Sequence, residues 1–545
     1  MAMRARPLAL AVFGILVAGL APASAAGPQM AIDWNEALFE AFRASAIDPP
    51  NASRQLAILN LAMFDAVNAI ERRYERYVLT DGPPEGAMPE AAVAAAGHGV
   101  LTALYPGDSA RQEALLAAHL AGMPAGGPRD AGVGWGHHCA AAMLAAREGD
   151  GATAPLHWAS PLGTGWWLPT PPGFFDALMP AWPYVTPWAM TSASQFRPPG
   201  PPTINDREYL RAFRQVKALG GTVSAWRDAE QSEIARFWED APGTYSAPGH
   251  WQMVAHVLAQ EQGLPLLETA RLFALLAIAQ ADAAILAWDG KYHYNHWRPE
   301  TAIAGAEVDG NPATVGEPGW APWIVDPPFP AYPSGHSTFS GASSRVLARV
   351  LGRDAVPFTV GSDDLPHATR SFDSLSQAAE ENGLSRIFGG VHWAYDNRDG
   401  LAAGRALGDY VVLNLLRPLD DPGGRCAPAA HRLCLHGGRF AVEVDWRGRD
   451  GSGAVALVGD GSALPLTDSA GGFWFFSPDN VEMLVKVLDA CGQDGRFWVF
   501  AAAATDLEYV LRVTDTAARR TRTYYNPLGR PSRAVTDTAA FATCP

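Results

Sequence analysis

The sequence predicts a mainly α-helical chain that ends in a small antiparallel β-sandwich. Three observations predict it. Apolar residues recur at helical spacing through much of 33–416. Short β-branched and aromatic runs replace that spacing beyond residue 440. Between the two lies Asp420-Asp421-Pro422-Gly423-Gly424, which reads as a linker. At 545 residues the chain is too long for one ordinary core. The expected organisation is an export signal over 1–25, a helical domain over 26–420 and a β-sandwich over 421–545.

The signal reading rests on Arg4 and Arg6, an apolar stretch over 8–21, and Ala23-Ser24-Ala25 as an A-x-A cleavage site. It places the mature protein in the periplasm or outside the cell. No later segment reads as continuously apolar for the length of a span, so the mature chain is expected not to be membrane-embedded.

Residues 33–147 read as helical: Ile58, Leu61, Ala62, Ala66, Ala69 and Ile70 keep helical spacing, and 92–104 is rich in helix formers. Residues 155–202, dense in Pro, Gly and Trp, read as a long packed excursion over the helical core. Helical signals resume at Asp206. The clearest helix covers 264–294, with Pro265 in its first turn and Pro299 ending or bending it. Strands are expected at 440–446, 473–476, 481–488, 496–500 and 508–513.

Hydrophobic residues make up 48% and charged residues 18%, which describes a globular chain. A formal charge of −15 leaves no basic excess for a nucleic-acid partner. It also raises the question of why an acidic protein gathers Lys and Arg in one place. Of five cysteines, Cys139 reads as a buried free thiol, while Cys426, Cys434, Cys491 and Cys544 suit two disulfides. Cys426–Cys434 with Cys491–Cys544 is preferred among three pairings.

Three motifs carry the chemistry. In Lys291-Tyr-His-Tyr-Asn-His-Trp-Arg298-Pro299 the two cations are seven residues apart, two turns of a continuous helix. Both would then lie on one face and repel unless an anion sits between them; a solvated basic face is the plainer reading. In Pro333-Ser334-Gly335-His336, a helix mouth offers an anion the Ser334 hydroxyl, the Gly335 N–H and a partial positive charge, and His336 adds a proton donor and acceptor. A plain N-cap turn is the alternative. In Ser385-Arg386-Ile-Phe-Gly389-Gly390-Val-His392, the six-residue step does not keep one helix face, and the glycine pair supplies a break that lets Arg386 and His392 address one centre. Asp396 and Asp399 are expected either to orient an Arg or His, or to form an acidic first turn. His293 and His296 read as polar residues of the pocket rim, and His137, His138 and His250 as structural.

Lys-x6-Arg-Pro, Pro-Ser-Gly-His and Ser-Arg-x5-His, in this order, resemble the signature of the vanadium haloperoxidase and type 2 phosphatidic acid phosphatase superfamily. Trp288-Asp-Gly-Lys291 and Phe329-Pro-Ala-Tyr-Pro333 are similar to its chloroperoxidase branch, and the resemblance covers most of 30–420. It implies a helical-bundle catalytic domain in which Lys291, Arg298, Ser334, Gly335 and Arg386 bind the oxygens of vanadate or phosphate. His392 would be the axial ligand of vanadium and His336 the acid–base. Hydrogen peroxide and halide would be the substrates, Lys291 would polarise bound peroxide, and hypohalous acid would be released. Trp288 and Phe329 would either wall the halide path or pack the core; an aromatic at Phe329 hints at chloride. The same donors suit an acid phosphatase acting on phosphate esters through a phospho-histidine at His392. A non-catalytic oxyanion-binding module is a further alternative, which the presence of both His336 and His392 disfavours.

Overall fold

The computed structural model describes residues 27–419, 426, 428–449, 455–518 and 520–544, with the backbone alone at 455–458. The expected signal at 1–25 and linker at 420–424 lie outside the described residues. The chain divides into two compact units. One takes the chain up to Glu71 together with Arg76–Leu416, and the other Arg72–Glu75 with Arg417–Pro545.

The first unit is built from thirteen helices among the described residues. They are α1 (Gln29–Ser45), α2 (Pro49–Glu71), α3 (Pro89–Leu104), α4 (Ser109–Ala121), α5 (Gly127–Ala146), α6 (Arg207–Leu219), α7 (Ala229–Phe237), α8 (Ser246–Glu261), α9 (Leu266–Tyr294), α10 (Pro299–Ala304), α11 (Gly335–Leu351), α12 (Leu375–Phe388) and α13 (Ala394–Asn414). Helix α9 is the centre, buried on nearly every side among α2, α11 and α13. An 18-residue stretch of it has a mean hydropathy of 1.7, which together with its length would suit a membrane crossing. This corrects the expectation that no segment after the signal is so apolar. An all-round apolar helix sheathed by other helices is the core of a large bundle.

Helices α11 and α13 pack backbone to backbone. A Cβ on Gly404 would stand 2.2 Å from the Thr338 carbonyl, and one on Gly341 2.4 Å from that of Leu401. The close approach fixes the start of α11 against the start of α13, and Ser334 N donates to the Asp396 carbonyl at 3.2 Å.

Residues 155–202 form the expected excursion, regular only in one 3-10 turn at Trp182–Tyr184. The segment is tied to α9: Asp282 accepts from the backbone N–H groups of Trp188, Ala189 and Met190 at 2.7, 2.8 and 2.7 Å. A hairpin, β1 (Phe358–Gly361) with β2 (Thr369–Phe372), interrupts the region expected to be helical throughout. Four-residue strands are too short for a period-two signal to stand out.

The second unit holds β3 (Arg432–Leu435), β4 (Phe440–Arg449), β5 (Val455–Asp460), β6 (Ser462–Thr467), β7 (Ala470–Trp474), β8 (Val481–Ala490), β9 (Arg496–Ala503), β10 (Glu508–Asp515), β11 (Arg520–Asn526) and β12 (Val535–Phe541). They make two five-stranded antiparallel sheets, ordered β11-β10-β4-β3 with β5 also on β4, and β12-β9-β8-β7-β6. Phe440, Val442, Val444 and Leu511 from the first sheet share one buried cluster with Phe473, Val485, Val487 and Val499 from the second. Disulfides join Cys426 to Cys434 and Cys491 to Cys544, and Cys139 is a buried free thiol.

Candidate active site

The first motif does not lie on one helix. Helix α9 ends at Tyr294, Asn295 caps it in the left-handed conformation (φ 48°), and Arg298 is the N-cap of α10, with Pro299 in that helix's first turn. Lys291 and Arg298 therefore meet because the chain reverses at Asn295, which corrects the two-turn argument. Both side chains are fully buried. Lys291 Nζ donates to the carbonyls of Pro330, Ala331 and Pro333 at 3.0, 3.1 and 2.7 Å. Arg298 donates through Nε to the Phe329 carbonyl at 2.9 Å and through Nη1 to that of Val391 at 2.7 Å. The Phe329 ring lies against both cations, 4.7 Å from Lys291 Nζ and 4.9 Å from Arg298 Cζ, and 4.9 Å from the Trp288 ring. Phe329 and Trp288 are thus packed residues and also the apolar wall of the cation pair. Trp288 is fixed through Nε1 to the Leu178 carbonyl at 3.1 Å, where Tyr292 Oη also donates at 2.6 Å.

The second motif opens α11. Ser334 is its N-cap, accepting from Ser337 N at 3.3 Å, and Gly335 is the first helical residue. A Cβ built on Gly335 would project towards Trp288 (3.6 Å) and Lys291 Cε (3.9 Å) with nothing nearer. The space in front of this helix N-terminus is therefore a cradle that a side chain would fill.

The third motif breaks as expected. Helix α12 stops at Phe388, and Gly390 takes φ 83°, where an added Cβ would lie 2.2 Å from the Gly220 carbonyl. His392 follows, buried, with Nε2 3.2 Å from Arg298 Nη1 and Nδ1 2.9 Å from Asp396 Oδ2. The Nδ1 contact to a carboxylate makes that nitrogen the donor and leaves Nε2 the acceptor. Arg386 donates to the Trp238 carbonyl at 3.1 Å, and its buried Nε has no partner. Asp399 does not reach the anion-site side chains. It accepts from Tyr332 Oη at 2.8 Å and from Arg398, so it steadies the chain before Pro333; of these two aspartates only Asp396 contacts a site histidine.

The electrostatics follow from burial. Lys291 is held well below its usual range by desolvation first and then by Arg298 and Arg386. Arg298 is lowered by desolvation, and Arg386 is brought down to about 10 by the same cause. Asp326 approaches Arg298 Nε only to 4.0 Å, and burial raises its carboxyl to about 8. Among the described residues no carboxylate oxygen comes closer to these three cations. Three buried cations without an ionised partner in hydrogen-bond reach are costly, and a multiply charged anion among them would reverse that cost. His392 is pushed well down by desolvation and the three cations, His336 down to about 4 by desolvation and Arg386, and Asp396 up to about 7 by desolvation.

Residues 271–421 match the family model of the VCPO second helical-bundle domain. A vanadium chloroperoxidase of Curvularia inaequalis is 31% identical over 266 residues, a match spanning 36% of this chain and 42% of that protein, less than half its length. The structure of a bacterial vanadium-dependent iodoperoxidase superposes with a TM-score of 0.63 at 28% identity, covering 72% of this chain and 98% of that one. This chain belongs to the vanadium haloperoxidase superfamily. A holo-type bacterial vanadium-dependent chloroperoxidase shares the superfamily fold at 19% identity, with a TM-score of 0.52 over 67% of this chain and 92% of that one.

The sequence motifs missed part of this candidate site. Asp240, buried, places Oδ2 3.5 Å from His336 Nε2 and Oδ1 2.9 Å from His250 Nδ1, so His250 does have a partner. Asp240 lies 96 positions before His336 in a turn with no periodic signal. Of the other histidines, His296 is not on the rim: it is buried against Tyr395 Oη at 2.8 Å, and burial pushes it down to about 3. His293 is exposed. His137 pairs with His98 at 3.2 Å and His138 with Asp81 at 2.9 Å.

Proposed function

We propose that this chain is an exported vanadate-dependent haloperoxidase that oxidises halide with hydrogen peroxide to hypohalous acid. The observation that carries the proposal is the ring of contacts around the start of α11. Arg386 meets the Trp238–Asp240 turn, which meets His336, and Gly335 faces Lys291. Lys291 meets Pro333, Ser334 meets Asp396, Asp396 meets His392, and His392 closes on Arg298. The unpartnered Arg386 Nε and the cradle before Gly335 fit a tetrahedral oxyanion.

Lys291, Arg298, Arg386, the Ser334 hydroxyl and the Gly335 N–H would hold the oxygens of vanadate, and His392 Nε2 would be its nitrogen ligand. When bound, vanadate supplies the Lewis acid that activates hydrogen peroxide. Asp396 keeps the His392 proton on Nδ1, so that the Nε2 lone pair faces the site. His336 is neutral near pH 7 and acts as the proton acceptor, with Nε2 turned to Asp240. Lys291 lies against the oxyanion space, and the Trp288–Phe329 wall keeps water from that side, which favours a poorly hydrated halide as nucleophile.

The same donors would bind phosphate, with His392 as nucleophile and His336 protonating the leaving group of a phosphate ester. Within this reading, residues 1–25 are an export signal, 26–420 the catalytic domain, and 421–545 an accessory module whose two sheets are the layers of a sandwich sharing one core. The test is peroxide-dependent bromination of monochlorodimedone with and without orthovanadate, beside hydrolysis of p-nitrophenyl phosphate. Vanadate-dependent bromination that His392→Ala abolishes supports the peroxidase. Ester hydrolysis inhibited by vanadate, with no halide turnover, assigns the site to phosphoryl transfer.

A further inference from the structure

The buried environment of Asp240 contains a residue that the anion chemistry does not use. His250, on α8, has no exposed surface, and its Nδ1 lies 2.9 Å from Asp240 Oδ1. Its ring also packs against Trp238, tilted by 30° with centroids 4.3 Å apart. One imidazole thereby grips both residues of the turn that touch the site, Trp238 through its face and Asp240 through Nδ1. The grip matters because the turn is strained: Asp240 has φ 53°, a left-handed conformation that a non-glycine residue keeps only when its surroundings over-determine it. A second tether comes from Asp364, which accepts from Asp240 N at 2.8 Å. The Asp240 carboxylate is divided: Oδ1 is taken by His250, and Oδ2 faces His336 Nε2 at 3.5 Å, where neither of these two buried atoms has a hydrogen-bond partner.

We infer that His250 is a positioning residue which, by donating Nδ1–H to Asp240, aims the second carboxylate oxygen at His336 and makes a buried relay His250–Asp240–His336. The relay rests on His336 acting as the acid–base, and it serves halide oxidation and phosphoryl transfer alike. Burial alone would raise the Asp240 carboxyl, but His250 and His336 outweigh it and hold the group below its usual range. The carboxylate thus stays charged and fixes the His336 tautomer with the proton on Nε2.

The geometry makes a discriminating test, because the donor is Nδ1. In His250→Asn the side-chain amide falls near the position of Nδ1, whereas in His250→Gln it extends to the region of Nε2. The first readout needs no oxyanion and no turnover: in the metal-free full chain, the His336 Nε2–H proton is followed by NMR downfield of the amide envelope, assigned by its loss in His336→Gln. The second is kcat in whichever reaction the protein catalyses. Asn should keep the resonance and lower kcat by less than about threefold. Gln should lose the resonance and lower kcat about tenfold or more with KM little changed, the scale on which residues supporting a functional histidine act. Thermal melts confirm that both variants fold. If Asn and Gln behave alike in the resonance and in kcat, the relay is overturned, whatever the assay says of haloperoxidase activity. If neither halide nor phosphate turns over, the resonance alone decides the relay.

Discussion

The helical unit and the β unit bury opposite kinds of surface. Around the start of α11 the interior holds Lys291, Arg298, Arg386 and His392, all nearly or fully buried and crowded enough to depress one another's proton affinity. The β unit buries Phe, Val and Leu from two sheets. It closes its chain with two disulfides and keeps most of its ion pairs at partly exposed positions, such as Arg432–Glu443. The second arrangement needs no ligand to be stable. The first carries a standing electrostatic cost, which selects for a partner of opposite charge. The difference favours the helical unit as the seat of the proposed anion site without reference to any motif.

Replacing an anion-site residue should separate the two units most strongly. His392→Ala and Arg298→Ala should each lower vanadate-dependent turnover by about three orders of magnitude or more, on the scale of losing a directly acting group. The β unit's melting transition should stay where it was, and calorimetry with turnover assays checks both.

A reciprocal effect is expected from the β unit. Cys491→Ser/Cys544→Ser opens a link of sequence separation 53 and should destabilise that unit by about 4 kcal/mol, against about 2–3 kcal/mol for Cys426→Ser/Cys434→Ser with separation 8. Halide turnover should be unchanged in either variant. Urea titrations with a β-unit tryptophan signal would check the order, and equal effects would contradict the loop-entropy account.

Saturating orthovanadate should raise the transition of the helical unit alone, by about 2.7 kcal/mol of stability at a hundredfold excess over Kd. A comparable shift in both transitions would mean that the anion does not discriminate the units.

Acid should give a smaller contrast. His296 stays neutral to about pH 3 in the folded chain but takes a proton near its ordinary 6.5 once unfolded. The unfolded form therefore binds the extra proton, and stability falls as pH drops below 6.5. His336, held down to about 4, acts in the same direction. His296→Phe should flatten the acid slope of the helical unit by up to about 1.4 kcal/mol per pH unit between 6.5 and 4. Urea midpoints across that range read it.

Much of this contrast was legible in the sequence, and the gaps have physical causes. Ser334-Gly335-His336 at a helix mouth and the Gly389-Gly390 break are local features, and both stand as their residue types dictate. Lys291 and Arg298 came together for a different reason from the one their spacing suggested, since Asn295 ends the helix between them. Asp240 and His250 depend on contacts between α8, the turn after α7 and α11, which no spacing encodes. In the β unit, β3, β5, β6, β11 and β12 went unread because they are outer strands. Runs such as Arg520-Thr-Arg-Thr-Tyr-Tyr-Asn526 leave most side chains exposed and so lack a clean apolar alternation.

The most direct test of the central claim is an equilibrium titration of the purified chain with orthovanadate, run beside Arg386→Ala. The account predicts one vanadate bound per chain, competed by phosphate, with affinity weakened at least a hundredfold in the folded variant. Binding that is absent in the parent, or unchanged when Arg386 is removed, would contradict the claim that these buried cations form an oxyanion site.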